Sequence, residues 1–108
     1  MSWLFLAAAI VFEVCGTTVL KLSEGLTRLI PSLLTVVCYG SSFFLLSLAL
    51  KKIEVGIAYA IWSGFGTAAI ALIGWFWFQE SLGMFKLVCI ALIIAGVVGL
   101  NLTERLAP

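Results

Sequence analysis

Residues 30–50 read IPSLLTVVCYGSSFFLLSLAL, a stretch without a single charged side chain. A hydrocarbon core of roughly 30 Å takes about 20 helical residues to cross, so this stretch has the length of one crossing. Pro31 stands in its first turn, where a helix has no use for the N–H that proline lacks. Working outward, a second charge-free run covers 57–78. Two further runs, 3–20 and 83–102, carry one charge each, Glu13 and Lys86, and Lys86 lies close enough to the start of its run to snorkel. The segments between them, KLSEGLTRL, KKIEVG and FQESL, are too brief to fold separately. The expected fold class is therefore all-α and integral to a membrane, with four transmembrane helices forming a single domain over 1–108.

Composition agrees with that reading. Apolar residues make up 64% of the 108 and charged residues 10%, against about a half and about a quarter in soluble domains. In water such a chain would expose large apolar patches. A β-barrel is disfavoured, because barrel strands are about ten residues long and alternate in polarity. A cleaved secretory signal is disfavoured for 3–20, since no cationic leader precedes that run and three more spans follow it. With a net charge of +1, no His and no Asp, the chain has no basic footprint for nucleic acid and little material for a metal site, so no cofactor is expected. An enzyme is excluded on the same inventory, which lacks a nucleophile with a base at helical spacing and a phosphate-binding loop. Cys15, Cys38 and Cys89 sit one by one inside apolar runs and read as small buried hydrophobes without a disulfide.

Four helices about 10 Å wide enclose almost no path for a solute, so an oligomer is expected. Ala91, Ala95 and Gly99 recur every four residues along one face of the fourth span, the small-xxx-small spacing that lets two backbones approach, and self-association is expected there. Gly56, Ala60, Gly64 and Ala68 form a similar stripe in the third span, read as packing between neighbouring helices. Lys51, Lys52 and Arg105 fall on one side of the membrane and Lys21, Arg28 and Lys86 on the other. Because Lys and Arg in short loops set orientation, three against three predicts insertion both ways, hence dual topology and an antiparallel dimer.

Glu13 is the one acid deep inside a span. A charged carboxylate near the bilayer centre costs roughly 2.5–3.5 kcal/mol on insertion scales, a penalty relieved when it takes up a proton or a cation, so it is a functional candidate by default. One turn away on its face stand Ala9, Gly16 and Thr17, all small, which leaves room beside it. Tyr39 lies midway along the second span, and Tyr59 and Trp62 share a face early in the third. Aromatic faces attract organic cations by about 0.5–2 kcal/mol without exacting hydrogen bonds. Trp3, Phe76, Trp77 and Phe78, at the span ends, read instead as an interfacial belt. Gly64 and Gly66 make a plausible hinge in the third span.

The stretches FEVCGTTVLKLSEGLTRLIPS around Glu13 and GIAYAIWSGFG around Trp62 resemble the signature segments of the small multidrug resistance transporters, and the likeness in length and span number runs from end to end. The resemblance implies a proton-coupled antiporter in the cell inner membrane that exports hydrophobic and quaternary ammonium cations as an antiparallel homodimer. It implies that Glu13 of both subunits binds protons or substrate in turn. It also implies substrate-binding roles for Tyr39, Tyr59 and Trp62, with Ala9, Gly16, Thr17, Ser42 and Phe43 alongside, and dimerisation through the fourth helix. The family's guanidinium-exporting branch carries Gly three residues before the acid and Trp three after it. Here Ile10 and Gly16 stand in those places, so the quaternary ammonium and multidrug branch is the nearer match. Guanidinium export remains the alternative within the family. Outside it, the rivals are a small dual-topology ion channel, for which the few hydroxyls such as Thr17, Ser42 and Ser63 make a poor lining, and a membrane assembly without transport, in which Glu13 would be idle.

Overall fold

The computed structural model describes residues 1–106, which form four helices and no strand: α1 (Ser2–Leu22), α2 (Leu29–Ala49), α3 (Val55–Trp77) and α4 (Met84–Leu106). Each is long and apolar enough to cross a membrane. The first three lie within two residues of the expected spans at either end. The fourth runs four residues beyond the expected Leu102, past the point where the apolar run ends. A helix stops only where a breaker or a cap stops it, and neither Gly nor Pro occurs between 100 and 106.

The chain divides into two compact units, 1–53 and 54–108. In the first, α1 packs on α2 through small residues. Ala9 is fully buried, and the equally buried Ser42 donates its hydroxyl to the Ala9 carbonyl at 2.7 Å. Opposite Gly16 stands the Tyr39 ring, so close that a Cβ at position 16 would lie 2.7 Å from Tyr39 Cδ1 and 3.1 Å from Cys38 Cβ. Contact without bulky side chains is how helices associate in lipid, where burying apolar surface brings no gain over leaving it among acyl chains. The bulky residues point outward: Val11, Phe12, Leu33, Leu34, Val36, Val37, Phe43 and Phe44 are all exposed. Three hydroxyls in the spans bond backward along their own helices, Thr18 to Val14 O, Thr35 to Pro31 O and Ser47 to Phe44 O, so each of these donors is satisfied within its own segment.

In the second unit α3 packs on α4 at Gly64, where a Cβ would come 2.5 Å from Val97 Cγ2 and 3.3 Å from Ile93 Cγ2. The expected packing role of the α3 small-residue stripe holds at Gly64, whereas Gly56 faces open space. Cys15 and Cys89 are exposed, contrary to the expectation of burial, while Cys38 is half-buried and all three are free thiols. A residue in a membrane-crossing helix can sit in an apolar run without being buried against protein, so the apolar sequence around these cysteines did not require burial.

The connectors are closed by their own atoms. Ser23, fully buried, donates its hydroxyl to Leu20 O at 2.6 Å, accepts the Leu26 N–H at 3.0 Å, and offers its carbonyl to the N–H groups of Thr27 and Arg28. These bonds hold Glu24, Gly25 and Leu26 in a run of positive φ (51°, 75° and 68°), a conformation only the central glycine adopts freely. Between α3 and α4, Gly74 O accepts from both Phe78 and Glu80 N–H, and Lys86 reaches back to donate to Ser81 O at 2.8 Å, toward the membrane edge as snorkelling requires. Gln79 terminates α3 at φ 61°, a place usually held by glycine. Gln79→Gly should therefore raise the unfolding midpoint in detergent, with a gain of about 0.5–1 kcal/mol after the glycine's own entropy is counted. An unchanged or lowered midpoint would show that the left-handed residue carries no strain.

Candidate functional site

Glu13 occupies the middle of α1, half-buried, with a helix above and below it that offers no basic side chain between Trp3 and Leu20. A carboxylate so placed needs a hydrogen-bond donor, and the helix supplies one a turn later. Thr17 Oγ1 donates to Glu13 Oε1 at 3.0 Å. The same hydroxyl oxygen lies 2.6 Å from the Tyr39 hydroxyl on α2. Three polar groups thus form a line from the acid, across the helix pair, to the aromatic ring. Gly16 is what permits it, since any side chain there would push the Tyr39 ring away.

The remaining candidates separate into three groups. Ala9 and Ser42 face each other inside the α1–α2 contact, where Ser42 ties the two backbones together, and Gly16 is filled by the Tyr39 ring. The room that three small neighbours were expected to leave beside Glu13 is in this respect taken up by α2: small residues on a helix face serve close packing as readily as they serve a cavity. Phe43 is exposed on α2. Tyr59 and Trp62 belong to the second unit, where their rings meet edge to face at 5.5 Å between centroids; Tyr59 is exposed and Trp62 half-buried. Ser63 donates back to Tyr59 O. The T-shaped pair presents the Tyr59 ring to its surroundings, a surface suited to a cation.

Gly64 and Gly66 are both buried and α3 runs unbroken through them. Ala91, Ala95 and Gly99 are exposed, and nothing lies within 4 Å of where a Gly99 or Gly96 side chain would begin. Among the described side chains of α4 only Val97 is buried. Of the aromatic residues expected at the ends of the spans, Trp3, Phe76 and Trp77 are exposed and Phe78 is half-buried.

Reading the sequence by itself misses the Thr17–Tyr39 bond, which spans 22 positions, and the part of Cys38 in backing Gly16. The available signal was the pairing of Gly16 with a large residue on the next helix, which only the register of α1 against α2 reveals.

A family model described as "Small Multidrug Resistance protein" matches residues 1–93. The multidrug transporter EmrE of Escherichia coli K12 is 47% identical over 106 residues, which cover 98% of this chain and 96% of that protein. The quaternary ammonium compound-resistance protein QacE of Escherichia coli is 48% identical over 104 residues, 96% of this chain and 94% of the relative. A membrane protein of Bacillus subtilis, YvaE, for which no function is given, is 54% identical over 107 residues, 99% of this chain and 90% of its own length. Four membrane-crossing helices, an acid within the first of them and a match along nearly the full length of chain and relatives lead to one conclusion: this is a multi-pass membrane protein of the small multidrug resistance family.

Proposed function

We propose that this chain is a proton-coupled antiporter that exports hydrophobic and quaternary ammonium cations across the cell inner membrane. The observation that carries the proposal is Glu13: a carboxylate inside an apolar helix pair, held by Thr17 and, through it, by Tyr39, without a cation of its own. Such a group attracts either a proton or a lipophilic cation, and the two exclude each other. Competition is then the coupling. With the site open inward a cation displaces protons from Glu13, the openings exchange, and protons displace the cation outside. If two protons enter for each monovalent cation leaving, one net charge moves inward and contributes about 2.3 kcal/mol per 100 mV.

The working form in this reading is an antiparallel homodimer with both Glu13 residues at one site and all four helices of each chain acting as one domain. Its support is the even split of Lys and Arg between the two sides, and the open Ala91, Ala95 and Gly99 face of α4. Two identical subunits of opposite orientation can trade conformations, which turns an inward-open state into its outward-open equivalent. Tyr39, Tyr59, Trp62 and Phe43 supply the aromatic lining, Thr17 orients the acid, and Ala9, Gly16 and Ser42 fix the helix pair that presents it. Gly64 and Gly66 give α3 the freedom to bend between states.

Gly16 supports the quaternary ammonium and multidrug branch: with Tyr39 this near, the Trp that the guanidinium branch carries at this place would displace the ring from its contact with Thr17. The expected outcome in proteoliposomes is that a gradient of a quaternary ammonium ion drives proton movement, saturably. A conductance far above transporter turnover would establish a channel instead, and no proton movement would overturn coupling.

A further inference from the structure

An α-helix closes each carbonyl with the N–H four residues on, so in α3 the bond from Thr67 N–H to Ser63 O encloses Gly64, Phe65 and Gly66. That bond lengthens when the helix opens at the two glycines. Its acceptor has a second donor, because Thr67 Oγ1 donates to the same Ser63 oxygen at 2.6 Å. One turn earlier the pattern repeats, with Ser63 Oγ donating to Tyr59 O at 2.8 Å. Tyr59, Ser63 and Thr67, four residues apart, are exposed along one face of α3, whereas the neighbouring face at Gly64 is closed by Val97 and Ile93 of α4. The backbone is therefore open to bending on the face where its carbonyls hold spare donors.

A spare donor shifts the balance between a straight and a bent helix. In the straight form Ser63 O is already matched by a backbone N–H, and the hydroxyl adds little. Once the backbone bond opens, the hydroxyl is the partner that remains, and without it a carbonyl within the span would lose its match. Ser and Thr side chains that bond back to the preceding turn bend helices and satisfy carbonyls freed at a kink. We propose that Thr67 is a positioning residue for transport: its hydroxyl holds the Ser63 carbonyl while α3 bends at Gly64 and Gly66, and so raises the population of the bent form. The inference rests on the antiporter reading, with α3 as an element that changes shape, and deepens it by naming the residue that stabilises the bend. Thr67 acts through the α3 backbone and needs no contact with the transported cation. Thr35 bonds back to Pro31 O in the same manner, but the turn it encloses, 32–34, holds no glycine, so there the backbone bond stays closed and the hydroxyl is redundant.

The test uses the full chain in lipid and compares Thr67→Val, which keeps the branched shape and loses the hydroxyl, with Thr67→Ser, which keeps the hydroxyl. Turnover and half-saturation for tetraphenylphosphonium are measured in proteoliposomes, and hydrogen exchange at the backbone amide of residue 67 is followed by NMR. Thr67→Val should lower turnover about tenfold, the weight of one hydrogen bond left unmade in the bent form, and should change half-saturation less than about twofold. Exchange at residue 67 should slow by a similar factor, since the opening that exposes this amide becomes rarer. Thr67→Ser should restore both, and Thr35→Val should alter neither. Wild-type turnover in Thr67→Val, a loss that Thr67→Ser fails to restore, or an equal loss in Thr35→Val overturns the inference and leaves the antiporter reading standing. If the wild-type protein does not move tetraphenylphosphonium at all, the antiporter reading fails; if its residue 67 amide exchanges as slowly as those of the neighbouring turns, the bend at Gly64 and Gly66 fails, and the inference falls with either.

Discussion

Glu13→Gln abolishes proton movement driven by a quaternary ammonium gradient and leaves the helices folded. Glutamine has the same length and keeps an oxygen that accepts from Thr17 Oγ1, so the 3.0 Å contact and the line to Tyr39 have no steric reason to change. What it lacks is a charge and a proton that can be exchanged. Losing the attraction between an ionised acid and a desolvated cation costs on the order of 1.5–3 kcal/mol, a tenfold to hundredfold loss of affinity, and coupling goes entirely because nothing remains for protons to compete over. Flux in proteoliposomes and an unfolding midpoint in detergent measure the two parts separately. Full pumping by the variant would remove the basis of the proposed mechanism. A collapsed midpoint would recast Glu13 as structural.

Gly16→Val has the next largest effect, and through packing. The new Cβ would stand 2.7 Å from Tyr39 Cδ1, 2.8 Å from Cε1 and 3.1 Å from Cys38 Cβ. The ring cannot swing aside without giving up its 2.6 Å bond to Thr17, and the helix cannot retreat without loosening Ser42 from Ala9 O. Overpacking of this kind costs roughly 1–3 kcal/mol, and the valine should lower both the unfolding midpoint and the affinity for tetraphenylphosphonium. Gly16→Ala should act in the same direction and less strongly. Gly40, on α2 with nothing within 4 Å, is the control: Gly40→Ala should stabilise by up to about 1 kcal/mol through helix propensity. If both glycines respond alike, the close approach of α1 and α2 at Gly16 is not what the substitution disturbs.

These contrasts mark where the sequence was readable. The spans could be placed from charge positions alone because lipid thickness and the cost of a buried charge act on every residue independently of its neighbours. Glu13 stood out for the same reason. The end of α4 did not, since past the membrane edge the apolar signal stops and the helix does not. Small residues were the hardest to assign. Ala9, Gly16 and Ser42 fit a lined cavity and a tight helix contact equally well on paper, and only the register between α1 and α2 distinguishes them. Register also decided the Thr17–Tyr39 bond, for which neither residue carries a local mark. Tyr59 and Trp62 were found as a pair because three positions along one helix is a local spacing.

The turn between α1 and α2 bears on how the chain enters a membrane. Ser23 answers the backbone of that turn with its own hydroxyl and carbonyl, so the two helices it joins can form a finished hairpin before anything outside them is in place. A hairpin complete in itself asks nothing of the compartment in which its tip comes to rest. In the proposed antiparallel dimer, where the chain inserts both ways, a tip whose backbone is satisfied by its own atoms would remove one reason to prefer a single orientation.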